Sequence, residues 1–460
     1  MPNPPFKRIL IANRGEIAVR VIRACQSLGI ESVAAVSAAD RDSLAARIAT
    51  RAVCIGPAPA QQSYLKPELL ITAAKGADCQ AIHPGYGFLS ERAQFSRMCA
   101  AEGVTFIGPS PEAIEAMGDK LSAVQLAERA GVPRVPGSGR IERAADAREF
   151  GRQHGFPVLI KASAGGGGRG MRIVRREEDV AQEIQAAAAE ARAAFGDPSL
   201  YMEKFIERAR HIEIQVLGDS HGNVVHLGER DCSTQRRHQK LIEEAPSPVL
   251  DAKLREALAA AAVQLARCVR YVGAGTVEFV FDVDTRRWYF LEMNTRIQVE
   301  HPVTEMVTGR DLVVEQIRVA AGEPISFTQD EVKVTGHAIE CRINAEDASL
   351  NFAPRPGRLE HWAVPRGEGI RVDTHCFPGY LVPPYYDSLL AKVITHGSDR
   401  SQALERMSAA LERLEVAGVP TTTSFHRKVL VHDDFRAGRI TTRWVEEKFL
   451  APAAPAEAAV

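Results

Sequence analysis

In the stretch "GTVEFVFDVDTRRWYFLEMNTRIQVEH", three residues have the types and spacing to hold a divalent cation. Glu278 interrupts an apolar strand pattern, and Glu292 and Asn294 stand two apart in the next strand, so they share one face. A hairpin turning about Thr285 sets Glu278 opposite Glu292. Like charges facing each other across a sheet are unfavourable unless a cation lies between them. Two carboxylates and an amide oxygen suit Mg2+ or Mn2+, whose coordination is usually completed by substrate phosphates. Either glutamate alone would read better as a carboxylate on a solvated strand face.

Directly afterwards Arg296, Gln298 and Glu300 alternate, so an extended chain puts them on one face beside that metal site. An arginine fork can hold an oxyanion, and a carboxylate next to it can act as a base. A structural salt bridge has the same spacing, and spacing alone does not separate the two.

The run "LIKASAGGGGRGMRIV" sets Gly165, Gly166, Gly167, Gly168 and Gly170 between two apolar stretches. It fits G-x-G-x-x-G, but "MRIV" is strand-like, so no helix N-terminus follows to bind a dinucleotide, and without G-K-[ST] there is no Walker A loop. A glycine hairpin whose bare N–H groups cradle phosphate oxygens remains, bracketed by Lys161 and Arg169. A flexible linker is the weaker alternative, because both flanks are strands. On the lid reading, Gly167→Val weakens use of the phosphate-bearing ligand without unfolding the protein. The segment "ERDCSTQRRHQKLIEE" gathers Arg230, Arg236, Arg237, His238 and Lys240, and reads equally as an anion-attracting loop or an exposed basic loop. Cys232 has no nearby ligand partners in sequence, which argues against a nucleophile.

The elements that must position these residues come from an ordinary globular composition. The 460 residues, 45% hydrophobic and 25% charged, suggest about three domains. A formal charge of -1 supplies no basic footprint for nucleic acid, so a small molecule or a protein is the expected partner. Eight cysteines without CxxC or zinc-ligand spacing read as buried thiols in a reducing compartment, with no disulfide and no structural zinc. No signal-peptide pattern and no apolar run of about 18 residues is present, so the expected location is cytoplasmic, with no membrane.

"KRILIANRGEIAVRVIRACQSLGIESVAAVS" reads as a βαβ unit, extended by "QAIHPGYG" and "VTFIGPS" into a parallel α/β domain ending near Met117. Its first turn holds only Gly15, so the dinucleotide fingerprint is missing there. Then come helices at 120–130 and 179–195, antiparallel strands "SLYMEKFI", "HIEIQVLGD" and "NVVHLGERD", and a helix at 250–271. A third region starts after Thr335 with alternating strands and ends in a helical pattern. The tail "APAAPAEAAV" is low-complexity and reads as disordered.

Taken together, "ILIANRGEIAVR", "AIHPGYGFLSE", "MGDK", "KASAGGGGRGM", "ERDCSTQRRHQK", "FLEMNTRIQVEHPVTE", "GHAIECRINAED" and "PPYYDSLLAK" resemble biotin carboxylase, the ATP-grasp component of biotin-dependent carboxylases. The likeness runs from about residue 6 to 450, with motifs in the family's order. It implies a Rossmann-like parallel α/β domain over 1–117, an ATP-grasp domain over 118–335 with a glycine-rich lid at about 135–205, a mixed α+β domain over 336–450, and a tail over 451–460. It implies ATP contacts at Lys120, Lys161, Gly167, Gly168, His211, Gln235, His238, Glu278 and Glu292, with Glu203, Lys204, Phe205 and Ile206 holding adenine. The implied metal ligands are Glu278, Glu292 and Asn294. Bicarbonate falls to Lys240, Arg296, Gln298 and Val299, with Glu300 as its base, and biotin to Arg342 and Val299.

The family's chemistry makes bicarbonate a nucleophile toward the γ-phosphate; carboxyphosphate releases CO2, and biotin captures it. Carrier domains of this family attach biotin in a Met-Lys pair, and none of the eight methionines here precedes lysine. The expected partners are therefore a separate biotin carboxyl carrier protein and a carboxyltransferase, most simply in acetyl-CoA carboxylase. The same activity serving propionyl-CoA, another acyl-CoA or pyruvate is an alternative, as is a nucleotide-binding regulatory role or another ATP-grasp ligase. A homodimer is implied, although Ser27 and Glu368 depart from the family where it makes dimer contacts. Ala49, Thr50, Arg51 and Lys66 depart as well, away from the chemical motifs.

Overall fold

The computed structural model describes residues 6–141, 143–162, 171–195 and 197–450. The chain divides into two compact units: Met1–Gly131, Arg210–Phe279 and Leu291–Val460 in the first, Val132–Ala209 and Val280–Phe290 in the second.

The first unit opens with strands β1 (Arg8–Ile11), β2 (Glu31–Val36), β3 (Arg51–Cys54), β4 (Ala81–His83) and β5 (Thr105–Phe106), in the parallel order β3-β2-β1-β4-β5. The central strand "RILI" is buried throughout, as a strand covered on both faces requires. Between β1 and β2 runs helix α1 (Gly15–Ser27), which buries Ile17, Val21, Ile22 and Cys25. Gly15 begins it at φ +69°, a conformation that side chains rarely adopt, so the single glycine of this turn has a backbone reason to be there.

The second unit contains β6 (Gly137–Arg140), β7 (Val158–Ala162), β8 (Arg172–Val174) and β9 (Leu200–Lys204), ordered β6-β9-β7-β8. Helices α2 (Ala144–His154) and α3 (Val180–Phe195) share with this sheet a core of Phe150, Val158, Ile160, Ala187, Ala191 and Met202. "SLYMEKFI" thus supplies β9 to this sheet, and does not stand beside the two strands that follow it.

An eight-stranded sheet is formed by β10 (Ala209–Gly218), β11 (Val224–Arg236), β12 (Gln239–Ala245), β13 (Gly273–Asp282), β14 (Trp288–Asn294), β15 (His337–Asn344), β16 (Ile370–Thr374) and β17 (Leu389–Gly397). Their order is β14-β13-β10-β11-β12-β15-β17-β16. Helix α4 (Ala252–Cys268) precedes β13, α5 (His301–Thr308) follows β14, and α6 (Arg400–Arg413) follows β17. In β15, Ile339, Cys341 and Ile343 enter an apolar core with Trp362, Met407 and Leu411. The alternation of a strand sends Glu340 and Arg342 to the opposite face, which is how one strand serves both a core and a charged site.

Two expectations are corrected here. The basic segment is a hairpin of β11 and β12 and not a loop: Arg230 and Arg236 are buried, and only the turn at Arg237 and His238 with the start of β12 is exposed. β11 is buried at every position but His226, and β12 from Leu241 onward, so the polar residues of this hairpin are enclosed on both strands. All eight cysteines are free, but Cys54 and Cys268 are exposed and only six are buried. No helix among the described residues is long and apolar enough to cross a membrane.

Candidate active site

Lys240, at the start of β12, brings the site together. Its Nζ lies 2.6 Å from Glu213 Oε2 on β10, 3.0 Å from Glu278 Oε1 on β13 and 2.6 Å from Glu300 Oε1 at the head of α5. Burial pulls its ammonium pKa down, but Glu213, Glu300 and Glu278 outweigh that and hold it well above the ordinary value. Arg342 on β15 donates from Nε to Glu243 Oε1 at 2.6 Å and from Nη2 to Glu300 Oε2 at 2.8 Å. Each oxygen of Glu300 thus meets a different cation. Burial pushes the Glu300 carboxyl up, while Lys240, Arg342 and Arg230 together hold it well below the usual carboxylate range. Fully buried Arg230 donates to Glu213, to Gln215 at 2.7 Å, to Thr304 at 2.9 Å and to Thr276 at 3.0 Å. Arg230 therefore pins the carboxylate that pins Lys240.

The proposed metal ligands meet in part. Glu278 Oε1 accepts from Asn294 Nδ2 at 2.8 Å and Gln298 Nε2 at 3.2 Å, and Oε2 lies 2.9 Å from His211 Nε2. Burial acts to raise the Glu278 pKa, but Lys240 and His211 hold it well below the ordinary range. Asn294 Oδ1 accepts from Arg296 Nη2 at 3.1 Å. Glu292 is exposed on β14, two residues before Asn294. A charged carboxylate, a second one at strand spacing and an amide form an oxygen-rich donor set that fits a hard divalent cation. His211, Glu213 and Glu278 also offer atoms within 4.8 Å of one another, with Glu213 engaged by Arg230 and Lys240.

The alternation of Arg296, Gln298 and Glu300 does not continue an extended strand. β14 ends at Asn294, and Glu300 is the N-cap residue of α5 at φ -81° and ψ 9°. Pro302 in the first helical turn has no N–H to place in a strand ladder and suits a helix start. Arg296 and Gln298 nevertheless stay together, through Nη1 to Oε1 at 2.9 Å, while Arg296 Nε reaches Glu91 Oε2 at 2.8 Å. Cys232 Sγ is 3.9 Å from Glu300 Oε1, so this thiol has carboxylate neighbours after all; burial, then Glu213, raises its pKa well above the ordinary value. A protonated thiol is no nucleophile.

Of the remaining residues, Gln235 is buried on β11 and His238 sits at φ +66° in the exposed β11–β12 turn. In the second unit Lys161 Nζ donates to Glu203 Oε2, Lys204 Nζ to Gly155 O at 3.0 Å, and Phe205 N to Pro157 O at 3.2 Å. Ile206 follows, half-buried. The glycine run, with Gly167 and Gly168, and the side chain of Lys120 lie outside the described residues. Sequence reasoning missed Glu213, Glu243 and Glu91. Glu213 carried the same signal as Glu278, a carboxylate breaking an apolar strand, whereas Glu91 lies far away in sequence and carried none.

Residues 5–114 match the family described as "Biotin carboxylase, N-terminal domain", 119–328 "Carbamoyl-phosphate synthase L chain, ATP binding domain", and 340–447 "Biotin carboxylase C-terminal domain". A biotin carboxylase of Nostoc sp. is 54% identical over 96% of this chain and 99% of its own. The solved biotin carboxylase subunit of pyruvate carboxylase superposes with a TM-score of 0.88 at 50% identity, covering 96% of this chain and 98% of that one. The solved biotin carboxylase domain of a thermophilic 2-oxoglutarate carboxylase, bound to bicarbonate, superposes with a TM-score of 0.92 at 48% identity, again covering 96% of this chain and 98% of that one. With three family domains in order and half the residues shared along nearly its whole length, this chain belongs to the biotin carboxylase family and is an enzyme of that type.

Proposed function

We propose that this enzyme uses ATP and bicarbonate to carboxylate biotin borne by a separate carrier protein, through carboxyphosphate, with Glu300 as the base. The observation that carries the reading is Glu300 itself: buried, ionised, and held by Lys240 on one oxygen and Arg342 on the other. Such a carboxylate is charged but a poor proton acceptor. An anion entering beside Lys240, Arg296, Gln298 and the Val299 backbone competes for those cations, and every contact it takes from Glu300 raises the basicity of that carboxylate. Substrate binding thereby switches on the base that removes the bicarbonate proton.

Lys240 and Arg296 then face the charge that builds up during in-line attack on the γ-phosphate. Glu278, Glu292 and Asn294 would hold Mg2+ or Mn2+, which would neutralise phosphate charge. Lys120, Lys161, Gly167, Gly168, His211, Gln235 and His238 serve phosphate or ribose, and Glu203 to Ile206 serve adenine. Arg342, whose guanidinium pKa is pulled down by burial but held up by Glu243 and Glu300, faces the biotin and the carboxyphosphate; the ureido N1 proton of biotin passes to the phosphate released with CO2, and Arg296 stabilises the enolate-like oxygen until N1 captures CO2. Residues 118–335 act as the ATP-grasp domain, with 135–205 as its lid.

The test is bicarbonate-dependent ATP cleavage by the purified chain with free biotin as acceptor. Cleavage stimulated by biotin is expected, and Glu300→Gln is expected to abolish turnover while ATP binding stays nearly intact. Cleavage that needs an amine in place of biotin overturns the reading. We assign the parent system to acetyl-CoA carboxylase, in the cytoplasm and as a homodimer. Copurification of the carrier and carboxyltransferase tests this against the pyruvate and 2-oxoglutarate systems to which two solved relatives belong.

A further inference from the structure

Lys392 lies mid-strand in β17, in register with Arg342 on β15 and with Asp373 on β16. Its side chain is 0% exposed. A lysine is almost never fully buried without a partner that repays its lost hydration. The neighbours facing it are Glu16 from α1, Asp373 from β16, Glu340 and Arg342 from β15, His301 from α5 and the chain at Val299.

Two of these look like ordinary charge partners. Glu16 Oε2 is 3.1 Å from Nζ and Asp373 Oδ2 is 4.0 Å away. Neither takes a well-formed hydrogen bond from it. Asp373 is forked by Arg371 at 2.9 and 2.7 Å, and Glu16 Oε2 meets Nζ as an ion-pair partner that acts to lower the Glu16 pKa but falls outside hydrogen-bond geometry. Burial raises the Glu16 carboxyl pKa in spite of Lys392, and its Oε1 accepts from the Tyr86 hydroxyl. Among the described residues, the hydrogen bond that Nζ does make runs to the Val299 carbonyl, at 2.8 Å.

That carbonyl belongs to the segment proposed to bind bicarbonate. The preceding carbonyl, Gln298 O, accepts from His301 Nδ1 at 2.7 Å, and the His301 ring is held neutral by burial and by the nearby Lys392, Arg20 and Arg371. Both carbonyls of this turn are therefore tied to side chains inside the protein. A trans peptide directs its N–H opposite to its C=O. Fixing Gln298 O turns the Val299 N–H away from His301, and fixing Val299 O turns the Glu300 N–H away from Lys392.

We infer that Lys392 is a positioning residue for the proposed bicarbonate site: its hydrogen bond to the Val299 carbonyl fixes the peptide planes between Gln298 and Glu300, so that this turn meets the anion with its N–H groups. The inference rests on the reading of that turn as the bicarbonate site. The competing account makes Lys392 half of a core ion pair with Glu16.

The two accounts separate in a pair of variants. Lys392→Met keeps the length of the side chain and removes the donor. Lys392→Met with Glu16→Gln also removes the charge left behind. Loss of one hydrogen bond from a charged donor corresponds to about a tenfold to hundredfold effect on binding. We expect the KM for bicarbonate to rise about that much in both variants, with ATP affinity within about twofold of wild type, and the double variant to regain the thermal stability that the single one loses.

A double variant with a wild-type bicarbonate KM overturns the inference in favour of the ion pair. A double variant that does not fold also overturns it, because Lys392 would then be a support of the core and not a guide for the turn. Absence of bicarbonate-dependent ATP cleavage in the wild type is a different failure, that of the functional reading itself.

Discussion

In the first unit Lys240 and Arg342 hold Glu213, Glu278, Glu300 and Glu243 between them, and none of these six side chains is more than 16% exposed. In the second unit the pairs Arg143–Asp146, Arg152–Glu177 and Arg175–Glu207 have side chains between 37 and 76% exposed. The distances are similar, at 2.6 Å for Lys240–Glu300 and for Arg152–Glu177. What differs is the water. A desolvated pair cannot lose one member without leaving a charge stranded, whereas an exposed pair returns both members to solvent. The buried cluster can therefore fix the position and protonation of a reacting group, and the exposed pairs cannot.

The largest expected effect comes from breaking the buried side. Lys240→Met leaves three carboxylates with one cation fewer, and we expect it to abolish turnover and to lower unfolding stability by about 3–5 kcal/mol in denaturant titration. A variant with an unchanged denaturant midpoint would show that these charges are not desolvated as their burial implies.

Two adjacent residues of β12 sharpen the point. Burial pushes the Glu243 carboxyl up to about 7, with Glu300 adding to the rise and Arg342 opposing it. Burial acts on Glu244 too, but Arg400 Nε at 2.6 Å and His337 Nε2 at 2.8 Å hold it down at about 2. A raised carboxyl contributes stability that is present below its ordinary value of 4.5 and lost as pH rises through about 7. A depressed one contributes stability that is present above 4.5 and lost as pH falls toward 2. Relative to wild type, Glu244→Gln is therefore expected to cost most near neutral pH, on the order of 3 kcal/mol, and less in acid. Glu243→Gln is expected to do the reverse, its cost shrinking as pH rises from about 5 to about 8. Denaturant midpoints followed against pH check both, and slopes of the same sign would break the distinction.

The fold was legible where hydrophobic period and punctuation agreed. The βαβ start of "KRILIANRGEIAVR" and the helices near 120–130, 179–195 and 250–271 stand where the pattern put them, within a few residues. Glu278 was legible because a carboxylate in an apolar strand is anomalous. The rest of the cluster was not, for a physical reason: its members come from β10, β11, β12, β13, β15 and α5, and only the sheet order makes them neighbours. Glu213 and Glu300 are 87 residues apart in sequence and share Lys240 at 2.6 Å each. The break in the strand after Asn294 was hidden as well, because alternation of residue types continues past the point where the backbone turns toward α5.

A smaller effect is expected at Lys161, which lies between the two regimes. Its pair with Glu203 has side chains 25 and 28% exposed. Lys161→Ala is expected to change stability by less than about 1 kcal/mol while raising the KM for ATP. A stability loss as large as that of Lys240→Met would place this pair with the buried cluster.

The smallest effect tests the exposed side. Arg152 reaches Glu177 Oε1 with Nε at 3.1 Å and Nη2 at 2.6 Å, as short as the contact of Lys240 with Glu300, and the Glu177 carboxyl is held below its ordinary value by that hydrogen bond. Both side chains stay in water, at 61 and 37% exposure, so solvent and salt screen the pair, and either partner can be rehydrated when the other is removed. Arg152→Ala is therefore expected to leave the melting temperature, the bicarbonate KM and the ATP KM unchanged, at low and at high salt. A clear loss of stability that vanishes in high salt would show that geometry, and not burial, decides the worth of a charge pair in this protein.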